Sequence, residues 1–314
     1  MKKNRFITII LLAVLLLSVS CVSTCTKKTQ ATATDEDSLT FKTEKVKLDD
    51  STAYAYITLG IELPVATNEV TTAIRQKLVE LLGKSLPLVT SYENEPLFKA
   101  YSGDTDDTKS LADYYFGELK TLLGNLSQSD ADERSQYINE DSTMTDDERQ
   151  KRLAEIPRWG YDYELSLLVD TTNYVVFQSQ DYIYMGGAHG GIGGDGMLTF
   201  DKATGEFIEQ FIDTTAVAAL QPLLIEGLLR YYSDCQVAMT KSRLLEHLMI
   251  EGDQIPLPVR APYPAKDGLV FTYMQYEIAS YADGMPSFVI PFADIAPYMT
   301  PQAKRLCGLS PSLP

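Results

Sequence analysis

The residues from Gly186 to Gly196, Gly-Gly-Ala-His-Gly-Gly-Ile-Gly-Gly-Asp-Gly, invite more chemical readings than any other stretch of this 314-residue sequence. His189 is the one side chain among them whose ordinary titration falls near neutral pH. Gly191, Gly193 and Gly196 satisfy the letters of a dinucleotide-binding turn. That turn needs a helix next, so that its first amides face a pyrophosphate. Met197-Leu198-Thr199-Phe200 follows instead and reads as a strand, so the match is one of letters only. A complete P-loop motif is absent as well. The run from Gly190 to Met197 fits one calcium β-roll nonapeptide, but such sites form between stacked repeats and a single copy stands here.

A hydrolytic zinc centre wants about three protein ligands. The other histidine, His247, falls on a helical apolar stripe, and neither a G-x-S-x-G elbow nor an H-E-x-x-H pair is present. Glu277 and Asp283 flank a tyrosine-rich strand end. Either one, joined to His189, would make an acid–base pair for an envelope hydrolase acting on peptidoglycan or polysaccharide. Capping or ion pairing explains the two carboxylates equally well. A histidine bonding main-chain carbonyls within a glycine turn explains His189. The expectation is therefore no catalytic residue, no metal and no cofactor, with the motif glycines, Gly187 among them, holding positive φ. The acidic segment from Ser127 to Glu148 lacks the EF-hand spacing and its central glycine, and reads as a solvated face or loop.

One cysteine has a chemistry of its own. Lys2, Lys3 and Arg5 precede an apolar run from Phe6 to Leu17. As a helix that run covers roughly 18 Å, too little for a ~30 Å hydrocarbon core, so it reads as a cleaved export signal. Ser18-Val19-Ser20 then leads into Cys21 in the manner of a lipobox, with Ser18 where leucine is usual and Cys25 as a second acceptor. Lipid attachment at Cys21 would anchor the chain to the bacterial membrane on its extracytoplasmic side, periplasmic or at the cell surface. The formal charge is −16, and Lys2, Lys3 and Arg5 supply three of its positive charges, so the rest is more acidic still. That balance excludes nucleic acid as a partner and suits a cationic one. Cys235 and Cys307 are free to pair in an oxidising compartment, but two cysteines are not a disulfide framework.

Around these residues the pattern is that of an α+β protein, an antiparallel sheet with hairpins packed against several helices. Residues 1–20 are the signal, 21–45 a polar tether, 46–157 an N-terminal α+β region and 158–314 a C-terminal domain. Ala53 to Pro64 has strand composition, and Thr67 or Asn68 caps a helix bearing Val70, Ile74, Leu78 and Leu81/Leu82. A second helix covers Leu111 to Leu123. Tyr161, Tyr163, Leu165, Leu167 and Val169 alternate with polar residues as a half-buried strand. Further strands are predicted at Tyr174 to Phe177, Tyr182 to Tyr184, Leu269 to Tyr276 and Phe288 to Pro291. A hairpin turns at Asp201 to Gly205. Helices follow Thr214 or Thr215, cover Arg243 to Ile250, and close the chain near Phe292 to Met299.

Three motifs carry a family resemblance. Tyr182-Ile183-Tyr184-Met185-Gly186-Gly187-Ala188-His189-Gly190 is followed by Phe200-Asp201 with Thr204-Gly205. Tyr276-Glu277-Ile278-Ala279-Ser280-Tyr281-Ala282-Asp283-Gly284 then precedes Pro291-Phe292. In order and spacing these resemble the extracytoplasmic domain shared by the anti-sigma factor RsiV and the N-terminal part of the peptidoglycan deacetylase PdaC, over roughly Tyr161 to Met299. The sequence shows neither a sigma-binding segment nor a deacetylase domain. The resemblance thus implies the shared module alone: a non-catalytic binder of an extracytoplasmic protein, lysozyme being the RsiV precedent, or of wall glycan. It marks Tyr182, Tyr184, Gly186, Gly187, His189, Gly190, Asp201, Gly205, Tyr276, Glu277, Tyr281 and Gly284 as motif residues that either build the fold or touch the partner.

Overall fold

The computed structural model describes residues 41–309; the signal, Cys21 and most of the expected tether lie outside the described residues. The chain divides into two compact units, one running to Glu209 and including Leu306–Gly308, the other spanning Gln210–Arg305. Both mix helix and strand, so the fold is α+β.

The first unit is built on a six-stranded sheet in chain order: β1 (Thr43–Ser51), β2 (Ala55–Pro64), β3 (Trp159–Asp170), β4 (Tyr174–Tyr184), β5 (Gly191–Asp201) and β6 (Phe207–Ile208). Every neighbour is antiparallel except β2 and β3, which run parallel. A parallel neighbour requires a crossover. Three helices make it: α1 (Glu69–Ser85), α2 (Thr108–Glu140) and α3 (Asp146–Ala154). The domain boundary expected between 157 and 158 therefore falls inside this unit, where β2 and β3 pair across the crossover, and β1 begins within the expected tether. Tyr161, Tyr163 and Leu165 are buried as the alternation requires. A bulge between Leu167 and Val169 then shifts the phase and leaves Leu168 exposed.

Asn68 caps α1 through a box with Thr71. Ile74, Leu78 and Leu82 face the sheet, and Arg75 is buried among them at 2 % exposure. Its guanidinium donates to the carbonyls of Pro64 (2.8 Å) and Thr105 (2.8 Å) and to Thr108 Oγ1 (2.9 Å). Thr108 in turn donates to Glu44 Oε2 (2.8 Å). One side chain thus links the end of β2, helix α1, the entry to α2 and, through Thr108, strand β1. The segment from Ser127, read as solvated face or loop, continues as α2 to Glu140. Leu119, Leu123, Ser127 and Ala131 keep the buried stripe going at four-residue spacing. Asp130 accepts from Arg134 one turn on and from Trp159 Nε1 (3.0 Å).

The second unit carries a three-stranded antiparallel sheet of β7 (Tyr263–Pro264), β8 (Gly268–Thr272) and β9 (Ser287–Pro291). Helix α4 (Val217–Asp234) lies against β9: a Cβ on Gly227 would stand 2.1 Å from the Phe288 ring. Phe271 and Phe288 stack across β8 and β9 at 5.7 Å. Short helices α5 (Lys241–His247), α6 (Phe292–Ile295) and α7 (Pro301–Leu306) complete the described chain. Strand β8 stops at Thr272, short of the expected Tyr276, and the chain turns through the third motif instead.

Arg75 yields a test. Arg75→Ala strands the buried Pro64 carbonyl and the part-buried Thr105 carbonyl and should lower unfolding stability by about 2–4 kcal/mol. Arg75→Lys should recover less than half of that, since a single ammonium cannot reach three separated acceptors. Urea unfolding at pH 7 checks both; a lysine variant as stable as the parent would contradict the account.

Candidate functional site

The glycine motif is strand for most of its length. β5 begins at Gly191, and a register shift between Ser179 and Asp181 marks a bulge where β4 meets Gly193–Gly196. Gly194 sits at φ +90°, and a Cβ there would stand 2.7 Å from the Ser179 carbonyl. The bulge turns Asp195 toward two hydroxyls. Ser85 Oγ donates to Asp195 Oδ2 (2.8 Å), as does Ser179 Oγ (3.1 Å), and the Tyr163 hydroxyl lies 3.0 Å from Ser179 Oγ. Burial pushes the Tyr163 phenol well up, so it stays neutral. Asp195 is thereby held in a structural network. Ser85 ends a Gly83-Lys84-Ser85 run that matches the close of a P-loop by letter. That run lies inside α1, and Leu78 stands where the first glycine would be.

Positive φ falls at Gly186 (+78°), not at Gly187, where a Cβ would meet nothing. The expectation for Gly187 is corrected accordingly: the turn out of β4 bends one residue earlier, where a Cβ would strike Pro157 at 2.6 Å. His189 is exposed, and its Nδ1 donates to the Gly190 carbonyl (3.0 Å). The Tyr182 ring covers Gly190, and Tyr184 pairs with Gly160 at the end of β4. Asp201 accepts from the Ala203 amide (2.7 Å), and Gly205 at φ +79° closes the expected hairpin into β6.

The third motif lies in the second unit and is organised by its two acids. Glu277 Oε1 accepts from the Val259 amide (2.6 Å) and Oε2 from the Met274 amide (2.7 Å). Between Met274 and Glu277 the chain passes through Tyr276 at φ +65°. A side chain as large as tyrosine adopts that left-handed conformation at about 1–3 kcal/mol, so surrounding bonds must impose it. Asp283 Oδ1 meets His247 Nε2 (2.6 Å), while Oδ2 accepts from the Ser280 amide (3.1 Å) and hydroxyl. The Asp283 carbonyl takes the Tyr231 hydroxyl (2.5 Å), and Gly284 at φ +75° ends the turn. Burial works to raise the Asp283 carboxyl, but the bonds from Ser280 and His247 outweigh it and leave it below the usual aspartate value.

What this frame turns outward is apolar. Tyr276 is 55 % exposed, and its ring lies 5.8 Å from that of Tyr281. Val259 (85 %) and Met249 (60 %) are exposed too. Both are tied to the same turn, Val259 through Glu277 and Met249 through its amide on the Ile278 carbonyl (2.8 Å). The sequence marked Tyr276, Glu277, Tyr281 and Gly284 but left His247 on a helix stripe; the structure brings it to Asp283 across 36 residues. His189 belongs to the first unit, Glu277 and Asp283 to the second.

The match to known families falls on this turn. Residues 256–293 match the family described as "Protein of unknown function (DUF3298)". Two solved structures share the fold. A DUF3298-family member from Bacteroides fragilis superposes with a TM-score of 0.57 at 17 % identity, over 85 % of this chain and 96 % of its own. A DUF3298-family protein from Pseudomonas aeruginosa gives 0.52 at 11 % identity, over 84 % and 96 %. No curated protein matches the sequence. The segment matched by DUF3298 contains Val259, Tyr276, Glu277, Tyr281 and Asp283, so the family signal coincides with the braced turn.

Among the described residues no group of three or more His, Cys, Asp and Glu is placed to hold a metal, and no helix is long and apolar enough to cross a membrane. Cys307 is a free, half-buried thiol, pushed up to about 12 by burial, so the Cys235–Cys307 pair is not formed.

Asp283 gives the pH prediction. Its lowered carboxyl stabilises the fold above the ordinary aspartate range near 3.9 and ceases to do so as pH falls through its own lower value. Asp283→Asn should cost about 1–3 kcal/mol at pH 7. The gap from the parent should narrow as thermal melts are repeated below pH ~4. A gap that is constant with pH would show that the charge on Asp283 does nothing for the fold.

Proposed function

We propose that the chain is a cell-envelope lipoprotein, anchored at Cys21, whose folded part is a non-catalytic binding module for a cationic extracytoplasmic protein. The observation that carries this reading is the division of labour at the DUF3298-matching turn. Its two acids hold main-chain and histidine groups, and Tyr276, Val259 and Met249 are exposed around it. Carboxylates committed to amides are poor proton shuttles, whereas exposed aromatic and aliphatic side chains on a rigid frame are what a protein interface uses. The net charge of −16 supports a basic partner. The resemblance of the three motifs to the domain of RsiV and PdaC supports an envelope location, and lysozyme, basic and wall-directed, is the first candidate.

Calorimetric titration of lysozyme into the purified chain tests the reading. Binding should be measurable at low salt and weaken toward 0.1–0.2 M, as charges become screened beyond ~10 Å, without vanishing. Absence of binding at low salt to every lysozyme class would remove the lysozyme version. Cleavage of wall glycan that disappears in His189→Gln would replace binding by hydrolysis.

A further inference from the structure

We infer that Cys235 is joined by a disulfide to Cys25, which clamps the second unit close to the lipid anchor; this rests on the lipoprotein reading above. Cys235 is disulfide-bonded, and Cys307 carries a free thiol. The chain has four cysteines, and the other two, Cys21 and Cys25, lie outside the described residues. The partner of Cys235 is therefore Cys21 or Cys25. Chemistry decides between them, because a sulfur that carries a lipid in a thioether has no S–H left to oxidise. With Cys21 acylated, Cys25 is what remains.

The end of α4 presents Cys235 in a fixed place. Cys235 is the C-cap residue, and its amide bonds the Tyr231 carbonyl (3.1 Å). Gln236 follows at φ +63°. Its amide closes on the Ser233 carbonyl (2.9 Å), and that of Val237 on the Tyr232 carbonyl (2.8 Å). This is a Schellman stop with glutamine where glycine is usual, and it leaves Cys235 half-buried at the helix end. Cys307 is a poor competitor for the bond. Burial keeps its thiol protonated near neutral pH, and only a thiolate attacks a disulfide. Pairing breaks two S–H bonds and makes one S–S bond. The two electrons and two protons pass to the disulfide of an extracytoplasmic thiol oxidant, which leaves as a dithiol.

The clamp changes how far the folded part can stand from its anchor. The polar tether expected ahead of Phe41 is about twenty residues from Cys21, which would by itself allow a reach of roughly 25 Å. With the bond, four residues of chain and one bridge join Cys21 to Cys235, at most about 14 Å and about 6 Å respectively. The second unit, which bears the DUF3298-matching turn, is thus kept at the membrane surface.

Maleimide labelling of the full chain taken from membranes, unfolded without reductant and weighed intact, counts the free thiols. The parent should take one label, at Cys307, and three after reduction. Cys25→Ala and Cys235→Ala should each take two without reductant, and Cys307→Ala none. The count is made on unfolded chains, so a variant that folds poorly still gives an answer. Three labels on the parent before reduction, with a fatty-acid probe taken up, would overturn the bond and leave the anchor standing. A parent that takes up no fatty-acid probe would overturn the anchor, and with it the choice of Cys25. A single label on Cys25→Ala, or a parent that runs as a dimer until reduced, would overturn the clamp.

Discussion

The Glu277 carboxylate, bonded to two amides fifteen residues apart, is the constraint on which the candidate site depends. A carboxylate accepting two main-chain N–H groups satisfies donors that a turn would otherwise leave open, and each charge-assisted bond is stronger than its neutral counterpart. Here the bonds also do geometric work: they fold 274–277 tightly enough to drive Tyr276 into the left-handed region. Asp283 repeats the device a few residues later, bonding Ser280 on its own turn and His247 at the end of α5. Between them the two acids fix both ends of the motif.

The first unit uses its buried charge in the same way. Arg75 spends its donors on two carbonyls and a hydroxyl, and Asp195 takes hydroxyls from α1 and β4. In each case a residue type associated with chemistry is occupied in closing hydrogen bonds that irregular backbone leaves unmade. Buried polar groups of this kind specify one arrangement, since a partly satisfied network is costly. The polar side chains thus hold the frame.

How much of this could be read beforehand depended on how local its cause was. Strand β2, the Asn68-capped α1, the alternating β3 and the Asp201–Gly205 hairpin follow from period and turn chemistry within a few residues, and the sequence predicts them. The continuation of α2 did not show because Ser127 and Ala131 fill the buried stripe with small side chains rather than large apolar ones. The glycine motif hid a strand because residues without side chains leave no alternation to read, and the bulge that aims Asp195 depends on β4. At the candidate site the residue types were visible but their roles were not. Val259 and His247 reach Glu277 and Asp283 across 18 and 36 residues, and no periodicity links positions so far apart. The tyrosine–acid pairing in Tyr276-Glu277 was the one local sign that the turn is special.

The central claim, that acids brace the turn of a binding module, can be examined without altering the chain. Hydrogen exchange of the full protein, alone and saturated with lysozyme at low salt, reads both halves at once. The amides of Val259 and Met274 should exchange slowly even in the free protein, because each is held by Glu277. Partner binding should add protection to amides of the folded part. Fast exchange at Val259 and Met274 in the free protein, or no added protection with the partner, would contradict the account.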